Sequence, residues 1–125
     1  INQLIWNSVS TPDELELALA EAKRLGQYSL IDVYADWCVA CQPIEKEVFP
    51  RSDVQTALKE IYLIKLDLSQ YDASQDLILK KYEILGPPTL LFMSPKAQEI
   101  RALRLTGTFK ADLLLKQITH LKDEQ

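Results

Sequence analysis

The chemistry-bearing residues of this sequence are two cysteines, in the string Cys38-Val39-Ala40-Cys41. They are the only 2 in 125 residues. Two cysteines scattered at random over that length would fall three apart about 1.6% of the time, so the spacing is selected for something. Stapling is a poor reason for it. Closing so short a loop is worth about 2 kcal/mol in the chain-entropy picture, less any strain. Half of a zinc site is a poor reason too. Zinc takes four ligands, and the remaining soft donor, His120, lies near the other end of the chain. We assign no metal, and no role to His120. Dithiol–disulfide exchange fits best. A cysteine near a helix N-terminus is favoured as a thiolate by unpaired N–H groups and the helix dipole. A second cysteine one turn on can attack the mixed disulfide and release the partner. Cys38 is then the nucleophile and Cys41 the resolving thiol. The redox-active Cys38–Cys41 disulfide is the only prosthetic chemistry expected, and no separate cofactor is called for.

The surroundings bear on direction. Val39 and Ala40 offer the thiolate no side-chain charge or hydrogen bond. Asp32, Asp36, Glu45 and Glu47 crowd the neighbourhood with acids. Negative charge opposes thiolate formation, which favours a reductant or electron relay over an oxidant. Asp32 lies in an apolar run and is expected to be buried; its plain alternative is a strand residue facing solvent. Glu45 is either an exposed helix residue or a second acid near the thiols. Trp37 is either core or a wall beside the reactive sulfur. Lys65 reads as a solvated strand end or salt-bridge donor rather than a catalyst. Phe109 reads equally as core or docking rim.

Positioning these residues requires short elements. Leu4–Trp6 is a candidate first strand. Thr11-Pro12-Asp13-Glu14 is a capping box with proline at the first helical position; Leu15, Leu19, Ala22 and Leu25 share one helix face, and Gly26 suits the C-terminal cap. Tyr28–Tyr34 reads as a strand buried on both faces. A helix is expected from about Cys38 to Phe49. Pro43 would leave the Val39 carbonyl unpaired there, so a kink or a shifted start is expected. Ser52-Asp53-Val54-Gln55 resembles a second capping box, for a helix to Glu60. Ile61–Leu68 is a long strand, and Asp72 caps a helix running to Tyr82. Gly86-Pro87-Pro88 breaks the chain. Thr89–Met93, a turn at Ser94–Gln98 and Glu99–Leu105 make a hairpin. Gly107 turns the chain into a final amphipathic helix, Lys110–Leu121. The order β-α-β-α-(α)-β-α-β-β-α predicts an α/β fold with a central mixed sheet flanked by helices.

Composition narrows the function classes. The apolar fraction is 47% and the charged fraction 26%, as in ordinary globular chains. The net charge is −4, with Lys and Arg scattered among 18 acids, so nucleic acid is an unfavoured partner. No apolar run reaches membrane-spanning length. The chain begins at Ile1 without a signal-peptide pattern, and is expected to be one domain, 1–125, either processed or cut from something longer.

The string Asp32-Val33-Tyr34-Ala35-Asp36-Trp37-Cys38-Val39-Ala40-Cys41 resembles the strand and active site of the thioredoxin superfamily. Tyr82-Glu83-Ile84-Leu85-Gly86-Pro87-Pro88-Thr89 resembles the segment holding that family's cis-proline, here Pro88, and Thr106-Gly107 its glycine loop near the site. Within the superfamily the decapeptide is most similar to the C-terminal periplasmic thioredoxin-like domains of the thiol:disulfide interchange protein DsbD. The resemblance runs from about Ser8 to Leu121. It implies a thioredoxin fold, with Asp32 as a buried acid/base tuning the thiols and Glu45 as a second tuning acid. It implies a partner-binding surface at Trp37, Pro87, Pro88 and Gly107. It further implies a monomeric domain acting on other proteins' dithiols and disulfides. Electrons would come from a membrane-embedded domain and pass to an immunoglobulin-like domain of the same parent protein. The location would be periplasmic, as part of an inner-membrane protein, in processes such as cytochrome c maturation. Pro87 and Pro43 depart from the usual pattern, and Lys65 matches a lysine of ordinary thioredoxins. Two alternatives therefore stand: a general soluble thioredoxin-like reductase, cytoplasmic in that case, and a non-catalytic thioredoxin-fold binding module.

Overall fold

The structure, a computed structural model, describes residues 4–123. Five strands form one mixed sheet in the order β1-β3-β2-β4-β5. β1 (Trp6–Val9) and β2 (Ser29–Tyr34) both run parallel to β3 (Tyr62–Asp67), while β4 (Thr89–Met93) is antiparallel to β2 and to β5 (Leu105–Thr106). β2 thus lies in the middle. All of it but Tyr34 is fully buried, as its continuous apolar run demands.

Helices cover both faces. α1 (Pro12–Leu25) and α4 (Ala73–Tyr82) enclose one core layer with Leu15, Leu19, Ile31, Val33, Leu66 and Ile78. α3 (Ser52–Ala57) and α5 (Ala111–Asp123) enclose the other with Leu30, Val54, Leu63, Phe92, Leu114 and Ile118. α1 starts where its box predicts: Thr11 Oγ1 accepts the Glu14 N–H at 3.1 Å. It ends at Gly26, whose φ of 67° is the left-handed conformation that suits glycine. Among the described residues, no helix is long and apolar enough to cross a membrane.

Four expected boundaries move. β1 is Trp6–Val9 rather than Leu4–Trp6, in register with Leu63–Leu66. It is an edge strand, which tolerates polar Asn7 and Ser8; the Asn7 amide donates to the Leu63 carbonyl at 3.0 Å. The helix expected from Cys38 begins at Cys41 as α2 (Cys41–Pro43) and continues as a π-helical segment, Ile44–Val48. Pro43 is the reason. The Val39 carbonyl, which a continuous helix would pair with residue 43, takes the Gln42 N–H at 3.1 Å instead. The second capping box does not form. Ser52 is already helical, and Gln55 donates its amide to the Phe49 carbonyl at 2.9 Å. Finally, Glu99–Leu105 is not one strand. It is a single bridge, Met93 to Glu99, a 3₁₀ turn at Arg101–Leu103, and the two-residue β5. The Arg104 side chain draws this segment off the ladder by donating to the Tyr82 and Glu83 carbonyls, both at 2.6 Å, and to Glu99 at 2.7 Å.

Candidate active site

The chain leaves the C-terminal end of β2 and turns directly into the cysteines. Cys38 and Cys41 are joined by a disulfide, with Cα atoms 5.3 Å apart. Cys38 is 7% exposed and Cys41 2%. Because the helix starts late, Cys38 stands ahead of it rather than in its first turn. The Cys41 N–H, first of the helix, donates to Cys38 Sγ at 3.2 Å. That hydrogen bond is the local aid to a Cys38 thiolate.

Three charged side chains meet on the sheet behind this segment. Asp32 of β2 and Lys65 of β3 are opposite one another in the parallel register. Glu45 reaches them from the π-helical segment, four residues and one turn beyond Cys41. Lys65 Nζ donates to Glu45 Oε1 and lies 3.7 Å from Asp32 Oδ2. Asp32 is buried, and neither Asp32 Oδ2 nor Glu45 Oε2 has a hydrogen-bond partner. Burial pushes the Asp32 carboxyl well above the usual carboxylate range; Glu45 beside it pushes the same way, and Lys65 pulls back by less. Asp32 thus favours its protonated form. Lys65 is a salt-bridge donor, half-buried rather than a solvated strand end.

Trp37 is not core. It is half exposed, its indole N–H donates to the Ser69 carbonyl at 3.1 Å, and its ring meets Tyr71 edge-on with centroids 6.4 Å apart. Asp36 and Glu47 are exposed. The Pro87–Pro88 bond is cis, the expected isomer. Pro88 is buried and Pro87 half-buried. Thr89, next in chain, pairs with Val33, so the antiparallel register sets Pro88 level with the end of β2. The Gly107 N–H donates to the Pro88 carbonyl at 2.9 Å, with Gly107 at φ 85°. Phe109 is core, packed under α5. Pro43 and His120 are exposed. Among the described residues, no group of three or more His, Cys, Asp and Glu side chains is placed to hold a metal ion.

Sequence reasoning passed over Trp6 and Tyr34, whose rings lie against Lys65. It also passed over Ser69 and Tyr71, which hold Trp37. These contacts cross between strands or loops far apart in the chain, so local spacing carries no signal of them.

The profile of the thioredoxin-like domain family matches residues 15–122. Thiol:disulfide interchange protein DsbD 2 of Pseudomonas aeruginosa is 45% identical over 104 residues, 83% of this chain and 18% of that protein. DsbD of Escherichia coli K12 is 39% identical over 122 residues, 98% of this chain and 21% of its own length. The chain therefore spans about a fifth of the curated relatives it matches. In three dimensions it is similar to the oxidised DsbD C-terminal domain of Neisseria meningitidis, with a TM-score of 0.80 at 21% identity, covering 90% of this chain and 97% of that one. A thioredoxin from Thermus thermophilus gives 0.76 at 23% identity, covering 97% and 88%. These likenesses establish the α/β thioredoxin fold.

Proposed function

The chain belongs to the thioredoxin-like domain family, and we propose that it is a dithiol reductant and electron relay of the DsbD type. The observation that carries this reading is a buried carboxylate, Asp32, beside a half-buried one, Glu45, each with a buried oxygen that has no hydrogen-bond partner, Glu45 standing one helical turn beyond a Cys-x-x-Cys disulfide. A fold does not leave carboxylate oxygens buried and unpaired for stability alone.

In the reduced protein the Cys38 thiolate attacks a partner disulfide. A new S–S bond joins Cys38 to the partner, and the first partner sulfur leaves as a thiolate that takes a proton from water. Cys41 then loses its proton to Asp32, in the minor fraction of molecules where that raised carboxyl is ionised, and attacks Cys38 Sγ. The second partner sulfur leaves and is protonated in turn. Two electrons have passed to the partner, and this chain holds the Cys38–Cys41 disulfide. A membrane-embedded dithiol of the parent protein returns it to the reduced form by the same exchange in reverse. The partner served is an immunoglobulin-like domain of that parent, in the periplasm, with cytochrome c maturation among the processes downstream. Trp37, Pro87, Pro88 and Gly107 form the surface on which the partner's extended segment docks, by backbone pairing. A general thioredoxin-like reductase is the second reading, favoured by Lys65 opposite the buried Asp32.

Trapping tests the assignment. Cys41→Ser, reduced and offered protein disulfides, accumulates mixed disulfides, and Cys38→Ser does not. Equal trapping by both variants overturns the roles. Capture of the immunoglobulin-like domain supports the relay; rapid recycling by a flavoenzyme reductase, with no reaction with a membrane dithiol, supports the second reading.

A further inference from the structure

Lysine is a flexible point charge with three donors, able to bridge two carboxylates. Lys65 does not. It donates to Glu45 and stops 3.7 Å from Asp32 Oδ2, beyond ordinary hydrogen-bond length. Two aromatic rings stand against its other sides. Nζ is 4.8 Å from the centroid of Tyr34, two residues past Asp32 on β2, and 5.4 Å from that of Trp6 on the edge strand β1. Both lie within cation–π range. Trp6 is itself seated on Phe49 of the core, centroids 4.8 Å apart. The ionisable groups facing Lys65 are Asp32 and Tyr34 from β2 and Glu45 from the π-helical segment. The edge strand brings the Trp6 ring and, opposite Lys65 in register, Ser8.

We infer that Trp6 and Tyr34 are positioning residues of the redox centre: their rings bracket the Lys65 ammonium and hold it on Glu45, leaving Asp32 Oδ2 without a hydrogen bond, as the atom that takes and gives the proton. This rests on the dithiol reading above. A bracketed lysine cancels the Glu45 charge one turn from Cys41, yet does not occupy the Asp32 oxygen that resolution needs. Without the bracket the ammonium swings toward solvent, where a strongly hydrated charge gains most. The carboxylates are then less compensated, and the Cys38 thiol becomes harder to ionise.

The test is the pH dependence of iodoacetamide alkylation in the reduced protein, with Cys38 read apart from Cys41 by peptide mass. Trp6→Leu and Tyr34→Leu should each raise the Cys38 midpoint by about 0.5–1 pH unit, slowing alkylation at neutral pH about threefold to tenfold. Trp6→Phe and Tyr34→Phe, which keep a ring, should return it to the wild-type value. In a Lys65→Met background the Leu substitutions should shift nothing further. Unchanged midpoints in the Leu variants, or equal shifts with and without Lys65, overturn the inference. If Trp6→Leu does not fold, the Tyr34→Leu and Tyr34→Phe pair decides it alone. Failure of Cys41→Ser to accumulate mixed disulfides would strike the dithiol reading instead, so the two failures are distinguishable.

Discussion

At the scale of single residues, the acids behind the dithiol have a definite sign. On the proposed mechanism, negative charge on Asp32 and Glu45 opposes a second negative charge at the dithiol, so each should hold the Cys38 thiol up. Asp32→Asn and Glu45→Gln should each lower the Cys38 alkylation midpoint, and the double variant should lower it further; unchanged midpoints in both single variants would remove these acids from the mechanism. Asp32 carries a second readout. Its carboxyl is raised on folding, so as pH climbs the unfolded chain gives up this proton first. Stability therefore falls as pH rises from the ordinary carboxylate range through the folded midpoint, at about 1.4 kcal/mol for each pKa unit of the shift. Asp32→Asn should be more stable than wild type at neutral pH in urea unfolding, with the difference shrinking as pH falls toward 4. A difference that does not vary with pH would contradict this. The burial of Asp32 was legible in the sequence, because a lone charge inside Tyr28–Tyr34 has few other readings. The pairing of Glu45 with Lys65 was not. It depends on the register of β2 against β3 and on how Pro43 resets the helix, and no local pattern encodes either.

At the scale of elements, the sequence announced what was strongly periodic and concealed what tertiary contacts decide. The caps of α1 and the apolar run of β2 are local physics and fall where they were expected. The region after β4 is otherwise. Its alternation suggested a strand to Leu105, but one buried guanidinium overrides the pattern. Arg104 pairs with Glu99 and satisfies the Tyr82 and Glu83 carbonyls at the end of α4. It thereby ties the β5 segment to the loop that leads to Gly86-Pro87-Pro88. Removing it strands the half-buried Glu99 carboxylate and two carbonyls. Arg104→Met should cost about 3–5 kcal/mol in urea unfolding, as when one partner of a buried ion pair is deleted. A Glu99→Gln, Arg104→Met double variant should recover part of that loss, because the orphaned charge is gone. A cost under about 1 kcal/mol for Arg104→Met would show that the clamp is a surface contact in effect.

At the scale of the whole molecule, the question is how a chain of net charge −4 presents a buried disulfide to another protein. The parallel strands all point their C-terminal ends toward the cysteines, so one end of the sheet is the working end. Exposed apolar groups gather on the segments there. Val39 sits between the cysteines, Trp37 and Tyr71 meet edge to face, and Leu85 directly precedes Gly86-Pro87-Pro88. Leu85 is 93% exposed, a poor place for leucine unless something covers it during reaction. Its removal should leave the chemistry of the dithiol alone and weaken only the encounter. Leu85→Asp should therefore react with a protein disulfide about tenfold more slowly, the equivalent of about 1.4 kcal/mol of lost docking. Its reduction by a small dithiol such as dithiothreitol should keep the wild-type rate. Ile5→Asp is the control. Ile5 is 80% exposed but precedes β1, at the opposite end of the parallel strands, and the substitution should alter neither rate. If Leu85→Asp slows the small dithiol as much as the protein, Leu85 shapes the site itself rather than the docking surface. If it slows neither, the partner approaches from another side, and the role of the loop before Pro88 must be limited to holding that proline in place.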